Sequence, residues 1–102
     1  MLSALKAWWK FRSTRPLTHL RFVLYTRKGC HLCDTAWVEL QHWQQRYRFV
    51  LEQVDIDRDP SLLALYDSLV PVVAVNDKVR FRGQVNRVLL ERLLRAEASR
   101  KR

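Results

Sequence analysis

An α/β domain with a mixed four-stranded sheet flanked by helices, in the order β-α-β-α-β-β-α, is the fold class this sequence predicts. Three observations carry it. Apolar residues change period along the chain, from short strand-like runs at 20–25, 49–56 and 70–75 to helical spacing after Leu32 and after Asn86. The first strand, the helix after it and the second strand make a βαβ unit, which requires a parallel pair and a right-handed crossover. The last two strands flank Asn76-Asp77-Lys78, which is hairpin-turn chemistry, so that pair is antiparallel.

Taken in order, the first strand spans about residues 20–26 and feeds a helix from about Cys30 to Tyr47, with Leu32, Ala36, Leu40, Trp43 and Tyr47 as its apolar stripe. Trp37 and Trp43 are packing residues of that helix. Phe49 to Ile56 reads as the second strand. Asp59 is a good N-cap and Pro60 suits a first helical position, so a short helix runs to about Asp67 with Leu62, Leu63 and Tyr66 inward. The run Val70–Val75 is apolar enough to lie in a sheet centre, and Pro71, which lacks an N–H, belongs at its first residue. Val79–Arg82 alternates like an edge strand, with Arg80 and Arg82 outward to discourage edge-to-edge pairing. Gly83 breaks that strand, and Asn86 caps a last helix in which Val85 and Leu90 form a hydrophobic staple. Val88, Leu89, Leu93, Leu94 and Ala96 supply its expected core face, and the chain is expected to fray from Ser99 onward.

A chain of 102 residues with 48% hydrophobic content supports one domain. We divide it into a basic N-terminal extension at 1–19, the domain at 20–97 and a basic tail at 98–102. The net charge of +9 is uneven: residues 1–33 carry seven bases and no acid, residues 34–94 eight bases and nine acids, and residues 95–102 four bases and one acid. A nucleic-acid-binding domain more usually carries its basic stripe on the folded body, so no nucleic-acid partner is expected. A monomer is expected. No stretch approaches the roughly 20 apolar residues that cross a bilayer. The first 18 residues lack the apolar core of a secretory signal, being interrupted by Lys6, Lys10, Arg12 and Arg15. They read as a mitochondrial presequence or as a short helix from about Ser3 to Phe11 that packs on the body or touches a membrane surface. The cytoplasm is the default compartment.

Both cysteines of the chain stand two residues apart, in Tyr25-Thr26-Arg27-Lys28-Gly29-Cys30-His31-Leu32-Cys33. Two cysteines are too few for a disulfide scaffold, and His19, His31 and His42 form no recognisable zinc set with them, so no metal site is expected. A redox pair is the stronger reading. The pair sits where a strand turns into a helix, which puts Cys30 beside unpaired backbone N–H groups and the positive end of the macrodipole. That position, and the cations Arg27 and Lys28, lower a cysteine pKa toward neutrality, and the thiolate is the reactive form. Gly29 lets the backbone turn tightly into the helix. Cys33, one turn further in, is expected to be more buried and placed to resolve a mixed disulfide on Cys30. His31 is a tuner of the site rather than a base.

The element order, a CxxC opening the first helix and Val70-Pro71 opening the third strand together resemble the thioredoxin fold, and more narrowly the short glutaredoxin-like family. The resemblance runs from about Leu20 to Leu94. It is carried by Tyr25, Cys30, Cys33, Asp55-Ile56-Asp57, Asp59-Pro60, Tyr66, Val70-Pro71 and Gly83. It implies a thioredoxin-like fold, a redox-active Cys30–Cys33 disulfide, and a cis Pro71 that faces the cysteine pair while Val70 offers its backbone to a thiol-bearing chain. It places Arg27, Lys28, His31 and Gly83 around that partner.

Typical glutaredoxins hold glutathione with a base near the first cysteine, a threonine before the Val-Pro, and a double glycine followed by acids. Arg27 matches the base by its distance from Cys30. Leu69 stands in place of the threonine, and Gly83 is followed by Gln84-Val85-Asn86-Arg87. The pattern thus lacks the grip on the amino end, and glutathione is left open as a cosubstrate, with no tightly bound cofactor expected. The function this implies is thiol–disulfide exchange with a protein or glutathionyl disulfide, reduced in turn by glutathione or a reductase. The alternatives are a non-catalytic adaptor docking through its basic N-terminus, and a metal or cluster held by Cys30 from two chains.

Overall fold

Strand and helix fall where the apolar periods place them in the computed structural model, which describes residues 16–100. The elements are β1 (Arg21–Thr26), α1 (His31–Tyr47), β2 (Val50–Asp55), α2 (Pro60–Tyr66), β3 (Val72–Val75), β4 (Lys78–Arg82) and α3 (Arg87–Ser99). Short 3-10 turns at Ile56–Arg58 and Asp67–Leu69 bracket α2. The helix expected near Ser3–Phe11 lies outside the described residues.

The sheet has the order β2-β1-β3-β4. β1 pairs with β2 in parallel, Arg21 opposite Val50, and with β3 antiparallel, Tyr25 opposite Val72. β3 and β4 form the antiparallel hairpin, turned at Asn76 and Asp77, both of which have positive φ (50° and 68°). Two such residues make the turn type whose twist matches the flanking strands. The turn is held to β1, since Arg21 N–H donates to Asn76 Oδ1 at 2.8 Å and Asn76 N–H donates to the Arg21 carbonyl at 2.9 Å. A register shift between Val73 and Ala74 sets Phe81 and Val79 opposite them, leaving Arg80 as the bulged residue of the edge strand.

Strand alternation sends Phe22 and Leu24 to one face of the sheet, where they join Val73, Val75 and Phe81 in a buried cluster. Ala36, Leu40, Trp43 and Tyr47 of α1 and Leu90 and Leu94 of α3 close over it. Phe22 and Phe49 lie ring to ring at 4.2 Å. On the opposite face Tyr25 meets Tyr66 of α2 at 4.8 Å.

Four expectations shift. Leu32 is half-exposed, and Cys33 takes the inward position at the head of the α1 stripe. Val88 and Leu89 are also exposed, as is Ala96. Leu93 and Leu94 lie on the core face as expected, where Leu90 and Ala98 join them. Both stripes are compatible with one helical period, and the position of α1 chooses between them. Part of the segment before β1, placed by sequence in the extension, is built into the body: Leu17 is buried, and its N–H donates to the Tyr47 carbonyl at 2.7 Å. Finally, Val70 and Pro71 precede β3, and Lys78 belongs to β4 rather than to the turn.

In this fold hydrogen-bond partners depress the pKa of three carboxylates. Glu52 is held below its ordinary range by Arg21, Asp59 by the hydroxyl and N–H of Ser61, and Glu97 by His19 and then Arg100. Because the folded values are depressed, the unfolded chain binds these protons first as pH falls. The stability involved is fully present above the ordinary values of 4.5 and 3.8 and is lost as pH drops through the lower folded ones. Thermal midpoints measured between about pH 6 and pH 3 should therefore fall on acidification. Glu97→Gln should flatten that fall; an unchanged slope would remove the His19–Glu97 contact, 3.1 Å long, from the account.

Candidate active site

β1 ends at Thr26, and a tight turn closes when Cys30 N–H donates to the Arg27 carbonyl at 3.3 Å. Gly29 has φ +76° with nothing near its missing Cβ, so the glycine is required by conformation and not by space. Cys30 is the N-cap of α1. Its backbone is extended, its carbonyl accepts from Asp34 N–H at 3.1 Å, and its Sγ accepts from Cys33 N–H at 3.2 Å. A sulfur thus occupies the place that a serine or aspartate oxygen usually takes at a helix start.

The sulfurs of Cys30 and Cys33 are joined as a disulfide, with Cα atoms 5.2 Å apart. Their surroundings differ. Cys30 is partly exposed at the mouth of the helix, whereas Cys33 has 0% exposure and sits beneath it.

Lys28 and His31 are exposed, one in the turn and one as the first residue of α1. Arg27 is placed differently from the free cation read from the sequence. Its Nη2 lies 3.0 Å from Asp57 Oδ1 and its Nη1 lies 3.0 Å from Asp67 Oδ1, while Nε donates to Asp57 Oδ2 at 3.3 Å. The hydrogen bond and charge of Asp57, then the charge of Asp67, raise its pKa above the ordinary arginine value. Arg27 therefore stitches the turn before Cys30 to the two 3-10 turns around α2. Sequence reasoning took Asp67 only as the end of a helix and Asp57 only as part of the Asp55-Ile56-Asp57 resemblance. They lie 40 and 30 residues from Arg27, and no local pattern links such positions.

The antiparallel register of β1 and β3 brings Val70 and Pro71 to the end of the sheet from which Cys30 rises, since Tyr25 faces Val72. Val70–Pro71 is a cis peptide bond. Gly83, at φ +81°, donates its N–H to the carbonyls of both Leu69 (2.9 Å) and Pro71 (2.8 Å). That N–H is thus used within the protein, fastening the loop after β4 to the loop before β3. Nearby, burial pushes the Tyr25 phenol up, and Tyr66 adds to the effect.

Two clefts flank the pair. One, of about 480 Å³, runs between the first turns of α1 and α3, with Leu32 and Val88 in its walls. The other, of about 370 Å³, is lined by charged groups of both signs, including Lys28, Arg58, Asp34 and Asp55. Among the described residues no cluster of three or more His, Cys, Asp or Glu side chains is arranged to hold a metal ion. No helix among them is long and apolar enough to cross a membrane.

Residues 21–95 match the family model described as Glutaredoxin-like domain (DUF836). The chain belongs to the glutaredoxin-like family. A Nitrosomonas europaea protein solved by NMR is 30% identical to this glutaredoxin-like domain, covers 72% of this chain and 89% of its own, and superposes with a TM-score of 0.64. An X-ray structure from X. campestris is 29% identical over 74% of this chain and 96% of its own, with a TM-score of 0.61. Oxidised thioredoxin of Plasmodium falciparum, 16% identical over 91% of this chain and 92% of its own at a TM-score of 0.58, shares the fold. No curated protein matches the chain significantly. A glutaredoxin-like domain of thioredoxin fold, with a CxxC pair at disulfide distance, supports a redox-type function.

Proposed function

We propose that this glutaredoxin-like protein is a thiol–disulfide oxidoreductase, exchanging its Cys30/Cys33 pair with a protein disulfide or a glutathionyl mixed disulfide. The observation that carries this reading is the asymmetry of the pair: one sulfur partly exposed on a helix N-cap, the other wholly buried one turn behind. In the reduced protein the Cys33 N–H and the positive end of the α1 dipole favour the Cys30 thiolate. That thiolate attacks one sulfur of the partner's disulfide. The partner's S–S bond breaks, and its other sulfur leaves as a thiolate and takes up a proton. Cys33, having given up its own proton, then attacks Cys30 Sγ and expels the second partner thiol. The Cys30–Cys33 disulfide is regenerated, two electrons have passed to the partner, and a donor of thiol or reductase class returns them. Val70 and Pro71, at the same end of the sheet, position the partner's chain.

A protein donor suits these residues better than glutathione. Arg27 is already held by Asp57 and Asp67, and the segment after Gly83 offers no acid to an amino group. Two measurements test the proposal together. Iodoacetamide alkylation of the reduced protein should show a Cys30 midpoint below about 7.5, against about 8.5 for an ordinary thiol. In a coupled assay, disulfide reduction should proceed with a thioredoxin-reductase system and not with glutathione. An ordinary midpoint with no reduction from either donor would leave the domain as a non-catalytic module.

A further inference from the structure

We infer that the groove between the first turns of α1 and α3 selects, among partner disulfides, those whose cysteine is flanked by an aliphatic side chain. This rests on the exchange reaction proposed above and names its substrate class. The partner must bring a sulfur to bonding distance of Cys30, about 2 Å. It then lies beside Leu32, which stands between the two cysteines, is 51% exposed, and forms one wall of the groove. The opposite wall is Val85 and Val88, the latter 60% exposed, with Ala36 beneath. At about 480 Å³ the space falls within the range of about 300–1,000 Å³ typical of binding clefts.

Several of the polar groups that line the groove are already engaged. The Thr35 hydroxyl donates to the His31 carbonyl at 3.1 Å. Glu39 Oε2 accepts from Trp43 Nε1 at 2.7 Å and pairs with Arg87 Nε at 3.4 Å. Asn86 Oδ1 accepts from Leu89 N–H at 3.1 Å as the cap of α3. A charged flank entering here would give up hydration, and the groove's Arg87 and Glu39 already pair with each other, whereas an aliphatic flank covers exposed leucine and valine. The gain is realised only next to Cys30, so it acts on the exchanging partner itself.

The test uses the full chain, reduced beforehand, in single turnovers against two synthetic peptide disulfides, one with leucine and one with serine on both sides of its cysteine. The second-order rate constant should favour the leucine peptide by about tenfold, the usual worth of a small apolar contact. Val88→Asp should bring that ratio close to one. Val38→Asp, on a part of α1 that is 66% exposed and outside the groove, should leave it unchanged. Equal rates for the two peptides in the unaltered protein, or an undiminished ratio in Val88→Asp, would overturn the inference. If neither peptide nor bis(2-hydroxyethyl) disulfide is reduced, the exchange reading itself fails, and selectivity with it.

Discussion

Cys33→Ser is expected to leave the protein carrying its partner as a covalent adduct on Cys30, with turnover of protein disulfides almost abolished. In the unaltered chain the resolving sulfur is held one helical turn from the first, with the two Cα atoms 5.2 Å apart. Its attack is therefore intramolecular. Well-oriented intramolecular steps reach effective molarities of about 10⁵ M or more, and an external thiol at millimolar concentration cannot replace one, so turnover should fall by on the order of 10³-fold or more. Intact mass measured without reductant should show the adduct, and dithiothreitol should remove it. Cys30→Ser should show neither adduct nor turnover, because the buried Cys33 has no access to a partner. An adduct that forms on Cys33 in Cys30→Ser would reverse the assigned roles. An adduct-free Cys33→Ser protein that turns over normally would end the two-cysteine mechanism.

Phe22→Ala is expected to cost about 3–5 kcal/mol of folding stability, the range for truncating a buried aromatic side chain. Phe22 has 0% exposure, lies on the inner strand β1, and stacks on Phe49 at 4.2 Å, so nothing nearby can swing in to refill its place without disturbing α1 or β3. A domain of this size has only about 5–15 kcal/mol in total. At roughly 4–8 °C per kcal/mol, the melting temperature should drop by at least about 12 °C. Val50→Ala on the edge strand β2, where the side chain is 44% exposed, should move stability by no more than about 0.5 kcal/mol. Urea unfolding of the two variants decides the matter; comparable losses would mean that the core is not centred on β1.

Much of the architecture was legible because its signals are local. The Asp59 and Asn86 caps each act on an N–H two or three residues away, at 2.9 and 3.1 Å. The CxxC declares its place because Gly29, Cys30 and the α1 stripe are contiguous, and the hairpin turn is written in Asn76-Asp77. The misses all involve a choice made by something distant. Leu32 and Cys33 are adjacent on α1, and helical spacing alone did not say which faces the sheet. Val88, Leu89 and Leu90 offer α3 two apolar stripes, and contact with the α1 side of the sheet selects Leu90. Arg27 was read beside the thiol it precedes, but its partners arrive from the ends of α2.

The sequence by itself therefore determined the order of strands and helices, their caps and turns, and the lodging of two thiols at a strand-to-helix junction. Those features depend on interactions within about one turn of chain, whose geometry the backbone fixes in advance. Only the tertiary structure decided that Leu17 belongs to the core and that Asp57 and Asp67 hold Arg27. Each of those outcomes is a contact between residues far apart along the chain. It exists because the sheet sets β1 between β2 and β3, and a register shift of one residue would replace every such neighbour with another.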